Sequence, residues 1–339
     1  MTGSSAAQGP APLLRRTLVT SGDARAAAHV EAMLRAGHTV TVVAPEVCGS
    51  IEDWHARGLL TWHARDLTLD DVRAVDTVWN APADDAPAAP RRDHGRVTLV
   101  GGGPSDPGLL TVAGRDALLD ADVVVTDRLA PLAALATLPP HVVIIDVAKI
   151  PHGRTTPQEE INRLLVEHAS AGRHVVRLKG GDSFVFGRGG EEVDACREAG
   201  IPVTVVPGVT SAIAAPELAG IPVTHRGTSQ GFTVVSGHLP PSHPESTVDW
   251  AALARAGTTI VVLMGVRTLP AIAEALTAGG LTGTTPAAVV ADAGQPSQRV
   301  VRGTVATIAA LAAEAGIGAP AVTVFGEVAA IGAPAEVSA

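Results

Sequence analysis

Short apolar runs alternate with helical stretches along most of this 339-residue chain. In the central part, strands are predicted at 97–100, 122–126, 141–146 and 174–178, and helices at 109–119 and 158–171. Strands and helices that alternate at this spacing are typical of a parallel sheet with helices on both faces. The pattern therefore predicts an α/β fold.

The flanking regions predict two further α/β units. Near the start, strands at 17–20 and 39–43 enclose a helix at 24–35, and a proline-rich linker follows. After about Gly227 the runs are more closely spaced, which indicates a mixed sheet. Strands are predicted there at 232–236, 259–264, 287–291, 299–303 and 321–325, and helices at 269–278 and 305–315. We expect a disordered tail at 1–14, a first domain at 15–85, a linker at 86–95, and two lobes at 96–227 and 228–330.

Composition excludes several classes of function. A net charge of −9 and a pI of about 5.7 argue against a nucleic-acid binder. The two cysteines, Cys48 and Cys196, are far apart and form no C-x-x-C pair, so neither a metal site nor a disulfide is expected. With no signal-like start and no run of about 18 apolar residues, we expect a cytoplasmic protein without a membrane segment.

The segment VRLKGGDSFVFGRGGEE, 176–192, holds five glycines at a predicted junction between a strand and a helix. Gly180 and Gly181 open a turn, and Glu191 and Glu192 suit the first turn of the next helix. This density of glycine indicates a ligand lying against the main chain, although a tight structural turn is the alternative. Aromatic residues make up 2% of the chain, so a heteroaromatic ligand is expected to rest on aliphatic side chains, methionine or peptide planes.

A second glycine turn, GGGPSDPG at 101–108, also follows a predicted strand. A dinucleotide loop would need a glycine at Asp106, and a phosphate loop would need Gly-Lys-Ser/Thr. Both signatures are missing, and the aspartate and two prolines are unfavourable for a polyphosphate. The loop therefore favours a ligand that is not strongly anionic.

These two segments, together with VPGVTSAIAAPELAGIPVTHRG and VVLMGV, occur in the order and spacing typical of tetrapyrrole methylases. Within that superfamily the chain most resembles the uroporphyrinogen-III C-methyltransferases, including the methylase half of sirohaem synthases. The resemblance covers about 96–328. It implies two α/β lobes with a cofactor cleft between them, preceded by a small Rossmann-like α/β domain.

The resemblance also implies an activity. Methyl groups would pass from S-adenosylmethionine to two ring carbons of uroporphyrinogen III, giving precorrin-2 for sirohaem or cobalamin synthesis, in a homodimer. One alternative is a methylase that acts on a later corrinoid precursor. Another is a non-catalytic cofactor-binding module whose first domain recruits a partner enzyme.

Motif position implies the following roles. Cofactor contacts fall on Pro104, Gly180, Gly181, Asp182, Val185, Thr210, Ser211, Met264 and Ala293. Asp127 matches the proton acceptor and Lys149 the proton donor, and substrate carboxylates would meet Arg177, Lys179, Arg188, His225 and Arg226.

Some of these residues have simpler interpretations. Asp127 could cap a turn or pair with Arg128, and Asp182 could be a helix cap. Met264 could belong to the core. His225 and Arg226 could form a surface ion pair.

The chain also departs from the family at several positions. Ala293 and Ser105 stand where relatives have glycine, Ile150 where they have arginine, and Gly227 where they have aspartate.

The start of the chain weakly resembles the dehydrogenase domain that precedes the methylase in sirohaem synthases. Relatives have a glycine-rich turn where this chain has Thr20-Ser21-Gly22-Asp23, which places a carboxylate near the expected pyrophosphate. The stretch before the linker is also short. We predict that this domain has lost NAD-dependent oxidation and metal insertion.

Overall fold

The computed structural model describes residues 15–79, 95–147 and 156–332. Within these residues the chain forms three β-sheets. We call the units built on them the first domain, the middle lobe and the last lobe. No helix in the described ranges is long and apolar enough to cross a membrane.

The first domain is a small parallel sheet with the strand order β3-β2-β1-β4. Its strands are β1 (Arg16–Val19), β2 (Thr39–Val43), β3 (Thr61–His63) and β4 (Thr77–Trp79). Its helices are α1 (Ala24–Arg35), α2 (Gly49–Ala56) and α3 (Leu69–Arg73). Helix α1 begins where predicted, because the Asp23 side chain accepts a hydrogen bond from the Ala26 N–H (2.7 Å) and caps the first turn.

The middle lobe is built on a parallel sheet, which confirms the predicted α/β class. Its strands are β5 (Arg96–Gly101), β6 (Val123–Thr126), β7 (Val143–Asp146), β8 (His174–Lys179) and β9 (Val203–Val206), in the order β7-β6-β8-β5-β9. Its helices are α4 (Val112–Leu119), α5 (Gln158–Ser170) and α6 (Gly189–Glu198). Every residue of β8 is buried, as expected for a central strand covered on both faces.

One predicted helix of this lobe starts later than expected. The helix predicted at 109–119 is α4, which begins at Val112, and a short 3₁₀ turn, Pro107–Leu109, precedes it. The start has a local cause, because the Thr111 hydroxyl accepts a hydrogen bond from the Gly114 N–H (3.0 Å) and caps the helix there.

The last lobe has the mixed sheet that the sequence predicts. Its strands are β10 (Phe232–Ser236), β11 (Thr259–Leu263), β12 (Pro286–Ala291), β13 (Arg299–Thr304) and β14 (Ala321–Phe325), in the order β10-β11-β14-β12-β13. Its helices are α8 (Trp250–Arg255), α9 (Leu269–Ala278) and α10 (Ile308–Glu314). Helix α7 (Ser211–Leu218) precedes the expected boundary at 227, but its buried residues pack in the same apolar cluster as residues of this sheet.

Strand directions decide where loops meet. Strand β10 is parallel to β11, and β14 is antiparallel to both β11 and β12. The carboxyl ends of β10, β11 and β12 therefore lie along one edge of the last sheet. In the middle lobe, the carboxyl ends of the parallel strands likewise share one edge.

The first domain packs tightly on the middle lobe. Helix α1 lies against a 3₁₀ helix, Leu132–Thr137, and its Val30 belongs to the same buried apolar cluster as Leu135. The Glu31 carboxylate accepts a hydrogen bond from the Ala133 N–H across this contact. Apolar burial and a buried hydrogen bond thus hold the two units together.

Glu31 makes this packing sensitive to pH. Burial raises its pKa from 4.5 to about 7, although Arg35 pulls it down. The folded chain therefore keeps a proton that the unfolded chain releases between pH 4.5 and 7, and the free energy of unfolding falls as pH rises through that window. We expect this loss to be up to about 3 kcal/mol, and Glu31→Gln to abolish it, since the amide keeps an acceptor for Ala133.

Urea unfolding between pH 5 and 8 measures this effect through tryptophan fluorescence. Trp54, Trp62 and Trp79 all lie in the first domain, and Trp250→Phe removes the remaining signal. Identical pH slopes for the parent and Glu31→Gln would contradict the assignment.

Candidate functional site

The candidate site lies where the carboxyl edges of the middle and last sheets approach each other. The middle sheet contributes loops 101–106, 127–131, 180–188 and 207–211, and the last sheet contributes Met264 and loop 292–295. In open α/β sheets ligands bind outside the carboxyl ends of the strands. The glycine turns singled out in the sequence all fall at this edge.

The middle-lobe loops interlock through their backbones. Gly103 and Gly181 exchange two hydrogen bonds, of 3.1 and 2.8 Å between N and O. Gly101 and Gly208 pack so closely that a Cβ on Gly208 would lie 2.4 Å from the carbonyl carbon of Gly101. No side chain fits between these loops, so glycine is required at that contact.

Asp182 ties two of these loops together. One carboxylate oxygen accepts a hydrogen bond from the Phe184 N–H (2.9 Å) and the other from the Gly208 N–H (3.0 Å). The helix-cap interpretation is wrong, because α6 begins after Arg188. Val185 lies in the same turn, where its N–H contacts the Asp182 carbonyl (3.3 Å).

The neighbouring candidates complete this wall. Thr210 caps α7 through its hydroxyl, and Gly181 packs against Ser211. Gly180 packs against Leu129 of the loop after β6. Most of the cofactor positions implied by the resemblance are thus brought into one continuous backbone surface.

The last lobe meets this wall through the loop that contains Ala293. A Cβ on the next residue, Gly294, would lie 2.2 Å from the Pro104 carbonyl oxygen, and Gly294 has φ +76°. Ala293 itself needs no such freedom, so its substitution for the family's glycine is compatible with the backbone. Pro104 and Gly294, the residue after Ala293, thus join the two lobes.

Met264 is not a core residue, contrary to the simpler interpretation. It directly follows the buried strand β11 and has φ +59°, and 50% of its surface is exposed. Left-handed backbone is unfavourable for a residue other than glycine and concentrates at ligand sites. Within the described part of the chain, the non-glycine residues with positive φ are Ser105, Phe186, Arg188, Met264 and Asp292, all in the loops around this cleft.

Behind the wall lies a buried ion cluster of two cations and two carboxylates. Glu192, fully buried at the start of α6, accepts hydrogen bonds from Arg177 Nε and Lys179 Nζ, each at 3.0 Å. Arg177 Nη2 also pairs with Asp127 Oδ2 at 3.1 Å. The charges balance, which is what burial of ionised groups requires.

This cluster corrects two predictions. Arg177 and Lys179 are buried and neutralised inside the lobe, so neither is free to bind a substrate carboxylate. Burial, together with the neighbouring Arg177, lowers the pKa of Lys179. Their role is to hold Glu192 and Asp127 in place.

Asp127 keeps one side toward the cleft. It caps its own turn by accepting from the Leu129 N–H (3.1 Å), and its ion-pair partner is Arg177 rather than Arg128. Arg128 points instead to Asp53 of the first domain (3.6 Å). The Asp127 side chain is 27% exposed, so a cleft ligand can reach its carboxylate.

Three predicted substrate contacts are exposed. Arg188 pairs with Glu191 through two 2.8 Å contacts, whereas His225 and Arg226 lie in a turn and make no ion pair within the ranges the structure describes. The surface ion-pair interpretation of His225 and Arg226 is therefore wrong for these residues. Lys149 lies outside the described residues.

Sequence reasoning missed two aromatic surfaces. Phe184 and Phe186 are 58% and 45% exposed, and they line a pocket of about 350 Å³ with Arg188, Gly189 and Gly190. The expectation that a heteroaromatic ligand rests on aliphatic side chains, methionine or peptide planes stays a prediction, and this pair adds an aromatic surface beside those groups. The signal in the sequence was the F-x-F within the glycine-rich run.

It also missed two arginines of the first domain that reach the cleft loops. Arg35 donates to the Gly294 carbonyl (2.9 Å) and the Ser105 carbonyl, and Arg57 pairs with Asp292. No local motif marks them, since these contacts join residues more than 60 positions apart.

In the first domain, a side chain lies at the position where a dinucleotide would place its pyrophosphate. The Asp23 carboxylate already occupies the amino end of α1, where it accepts hydrogen bonds from the Ala26 N–H (2.7 Å) and the Ser21 hydroxyl (2.7 Å). A pyrophosphate would have to displace this carboxylate and would meet its negative charge. No cluster suited to a metal ion occurs among the described residues.

Comparison with known families gives two matches. Residues 96–309 match the Tetrapyrrole (Corrin/Porphyrin) Methylases, and residues 14–90 match the Putative NAD(P)-binding family. The S-adenosyl-L-methionine-dependent uroporphyrinogen III methyltransferase of Methanosarcina barkeri is 48% identical over 236 residues, 70% of this chain and 92% of that protein.

Sirohaem synthases are also similar. Siroheme synthase 2 of Aeromonas hydrophila is 38% identical over 327 residues, 95% of this chain and 68% of that protein. The chain spans about half the length of other siroheme synthases it matches, such as the one from Thiobacillus denitrificans.

Solved structures agree with the fold. The uroporphyrin-III C-methyltransferase from Thermus thermophilus, complexed with S-adenyl homocysteine, is 42% identical and has a TM-score of 0.57, covering 69% of this chain and 98% of that one. A cobalt precorrin-4 methyltransferase has a TM-score of 0.64 at 25% identity, covering 72% of this chain and 99% of that one. The chain belongs to the tetrapyrrole methylase family.

Proposed function

We propose that this chain transfers methyl groups from S-adenosylmethionine to two ring carbons of uroporphyrinogen III, giving precorrin-2 for sirohaem or cobalamin synthesis. The observation that carries the proposal is the interlocked cleft at the facing carboxyl edges of two sheets. A relative 42% identical has S-adenyl homocysteine bound. The Methanosarcina barkeri relative is named for the same substrate.

The cleft suits S-adenosylmethionine in its chemistry. Closely packed glycine loops offer main-chain groups, Met264 offers a half-exposed thioether, and the loop 101–108 contains no phosphate signature. We propose that the cofactor is held by Pro104, Gly180, Gly181, Asp182, Val185, Thr210, Ser211, Met264 and Ala293. The sulfonium already activates the methyl group, so the protein's task is alignment and exclusion of water.

Asp127 is our candidate for the proton acceptor. Arg177 fixes its carboxylate at the cleft edge, and the balanced cluster behind it prevents a net buried charge. A carboxylate held there can take a proton that the macrocycle releases from another position once its ring carbon has been methylated. By the resemblance, Lys149 is proposed as the proton donor.

We propose that Arg188, His225 and Arg226 bind substrate carboxylates. All three are exposed, and the Glu191 partner of Arg188 is itself exposed, so a ligand carboxylate can replace it. Phe184 and Phe186 add apolar surface beside Arg188 for the pyrrole rings of the macrocycle.

The other functions weighed from the sequence are not favoured. The methyltransferase named for a later corrinoid is only 25% identical. A non-catalytic module has no specific support, because the Asp127 and Asp182 arrangements are intact.

Membership of the family supports proposals about domain limits, assembly and location. We propose domain limits of 15–85, 96–227 and 228–330, a homodimer, and a cytoplasmic location that suits the free cysteines Cys48 and Cys196. We also propose that the first domain uses no NAD, since Asp23 blocks the anion position.

The direct test is incubation of the purified chain with uroporphyrinogen III and methyl-labelled S-adenosylmethionine under reducing conditions. We expect a product carrying two labelled methyl groups by mass spectrometry. Absence of label in the tetrapyrrole would reject the proposal. Label that is incorporated only when a later corrinoid precursor replaces uroporphyrinogen III would establish the alternative methylase.

Asp182→Ala tests the tie between the two glycine loops. It removes both hydrogen-bond acceptors, so we expect the Kd for S-adenosylhomocysteine in calorimetry to rise about tenfold or more, with an unchanged circular dichroism spectrum. Asp182→Asn keeps one acceptor and should fall in between. Unchanged affinity in Asp182→Ala would show that the carboxylate only shapes a turn.

Asp127→Asn tests proton removal separately from binding. The amide keeps the size and an acceptor for the Leu129 N–H, but it is a poor base. It also gives up the charge pairing with Arg177, so the circular dichroism spectrum and the urea midpoint of the variant are measured beside its activity. We expect kcat to fall about a hundredfold or more with the S-adenosylhomocysteine Kd unchanged. Asp116→Asn, on an exposed face of α4, is the matched control. A kcat equal to that control would remove Asp127 from the mechanism.

A further inference from the structure

We propose that the first domain contributes to the cofactor cleft: its Arg35 and Arg57 brace, that is hold in place, the two loops that contain Pro104 and Ala293. This inference rests on the proposed function, because those loops are taken to hold S-adenosylmethionine. It assigns to the first domain a task that neither nucleotide binding nor partner recruitment describes.

Arg35 joins the two lobes. It is the last residue of α1, and its guanidinium donates from Nη1 to the Gly294 carbonyl (2.9 Å) and from Nη2 to the Ser105 carbonyl. One carbonyl belongs to the last lobe and the other to the middle lobe. A planar guanidinium can bridge two acceptors at a fixed separation, which a lysine ammonium does less well.

Arg57 braces the loop of the last lobe through a second residue, Asp292. It follows α2 and pairs with the Asp292 carboxylate, which is 8% exposed. Asp53, one turn earlier in α2, pairs with the Arg57 guanidinium at 3.4 Å. The same carboxylate pairs with Arg128 of the middle lobe at 3.6 Å. The pairing is therefore part of a network that crosses all three units.

The backbone at the braced positions is strained. Ser105 has φ +62° and Asp292 has φ +52°, both in the left-handed region that non-glycine residues avoid. Each is bonded to one of the two arginines, Ser105 through its carbonyl and Asp292 through its side chain. Each is also the immediate neighbour of a proposed cofactor contact, so a relaxed backbone would move Pro104 or Ala293.

Helix α1, which carries Arg35, is itself held firmly in place. Helix α1 is capped by Asp23 at one end and packs along its length against the 3₁₀ helix of the middle lobe. Glu31, one turn before Arg35, pairs with it at 3.5 Å and with the Ala133 N–H. The Arg35 side chain is only 19% exposed, which sets it apart from a loose surface arginine.

The test compares Arg35→Ala, Arg57→Ala and the double variant with Arg65→Ala. Arg65 pairs with Asp71 inside the first domain and touches neither lobe, so it is the matched control. We expect the calorimetric Kd for S-adenosylhomocysteine to rise about tenfold in each brace variant, and to stay at the parent value in Arg65→Ala. Arg35→Lys should recover part of the loss.

The outcomes separate the two proposals. No binding of S-adenosylhomocysteine by the parent chain would overturn both the function and the brace. Parent binding with an unchanged Kd in the double variant would overturn the brace alone.

A reciprocal measurement guards against variants that fold poorly. If cofactor loops and brace are coupled, the ligand must stabilise the first domain by the same linkage. In a Trp250→Phe background, S-adenosylhomocysteine is expected to raise the urea midpoint of the signal from Trp54, Trp62 and Trp79. A midpoint indifferent to the ligand would contradict the brace.

Discussion

The packing of Gly101 against Gly208 is the contact on which the rest of the site depends. At this approach the loops after β5 and β9 touch through bare backbone, and the loop after β8 closes over them by its hydrogen bonds to Gly103. A methyl group at either glycine would force the loops apart. The polar contacts of Asp182 and the placement of Thr210 both follow from that closeness.

Behind the loops, the buried ion cluster that balances the charges of β8 also positions Asp127. The parallel sheet buries β8 on both faces, yet β8 carries Arg177 and Lys179, so their charges must be matched inside the lobe. The Glu192 carboxylate pairs with both cations, and Arg177 Nη2 also pairs with Asp127, so two carboxylates balance two cations. A carboxylate at the cleft edge is thus oriented by the interior of the lobe.

Much of this could be predicted from the sequence because it is local. Alternating strands and helices gave the parallel and mixed sheets, and the glycine turns located the cleft loops within a few residues. Sequence alone failed where the cause is tertiary. Arg177 and Lys179 look like free cations in a glycine-rich motif, and only the fold reveals the buried Glu192 between them.

The first domain shows the same limit. The turn at Thr20–Asp23 predicts a weakened dinucleotide site, and the structure shows the Asp23 carboxylate capping the amino end of α1. Nothing in its sequence signals that Arg35 and Arg57 reach loops in the other two units. Its motif indicates a degenerate dinucleotide-binding domain, whereas its contacts place two arginines against the loops of the cleft.

Hydrogen exchange of the whole chain, with and without S-adenosylhomocysteine, shows directly which loops the cofactor orders. We expect the ligand to slow exchange together at 101–106, 180–188, 207–212 and 292–295, and at the end of α1. Protection confined to the turn at 20–23, or absent from the loops of one lobe, would contradict a cofactor cleft shared by both lobes and braced by the first domain.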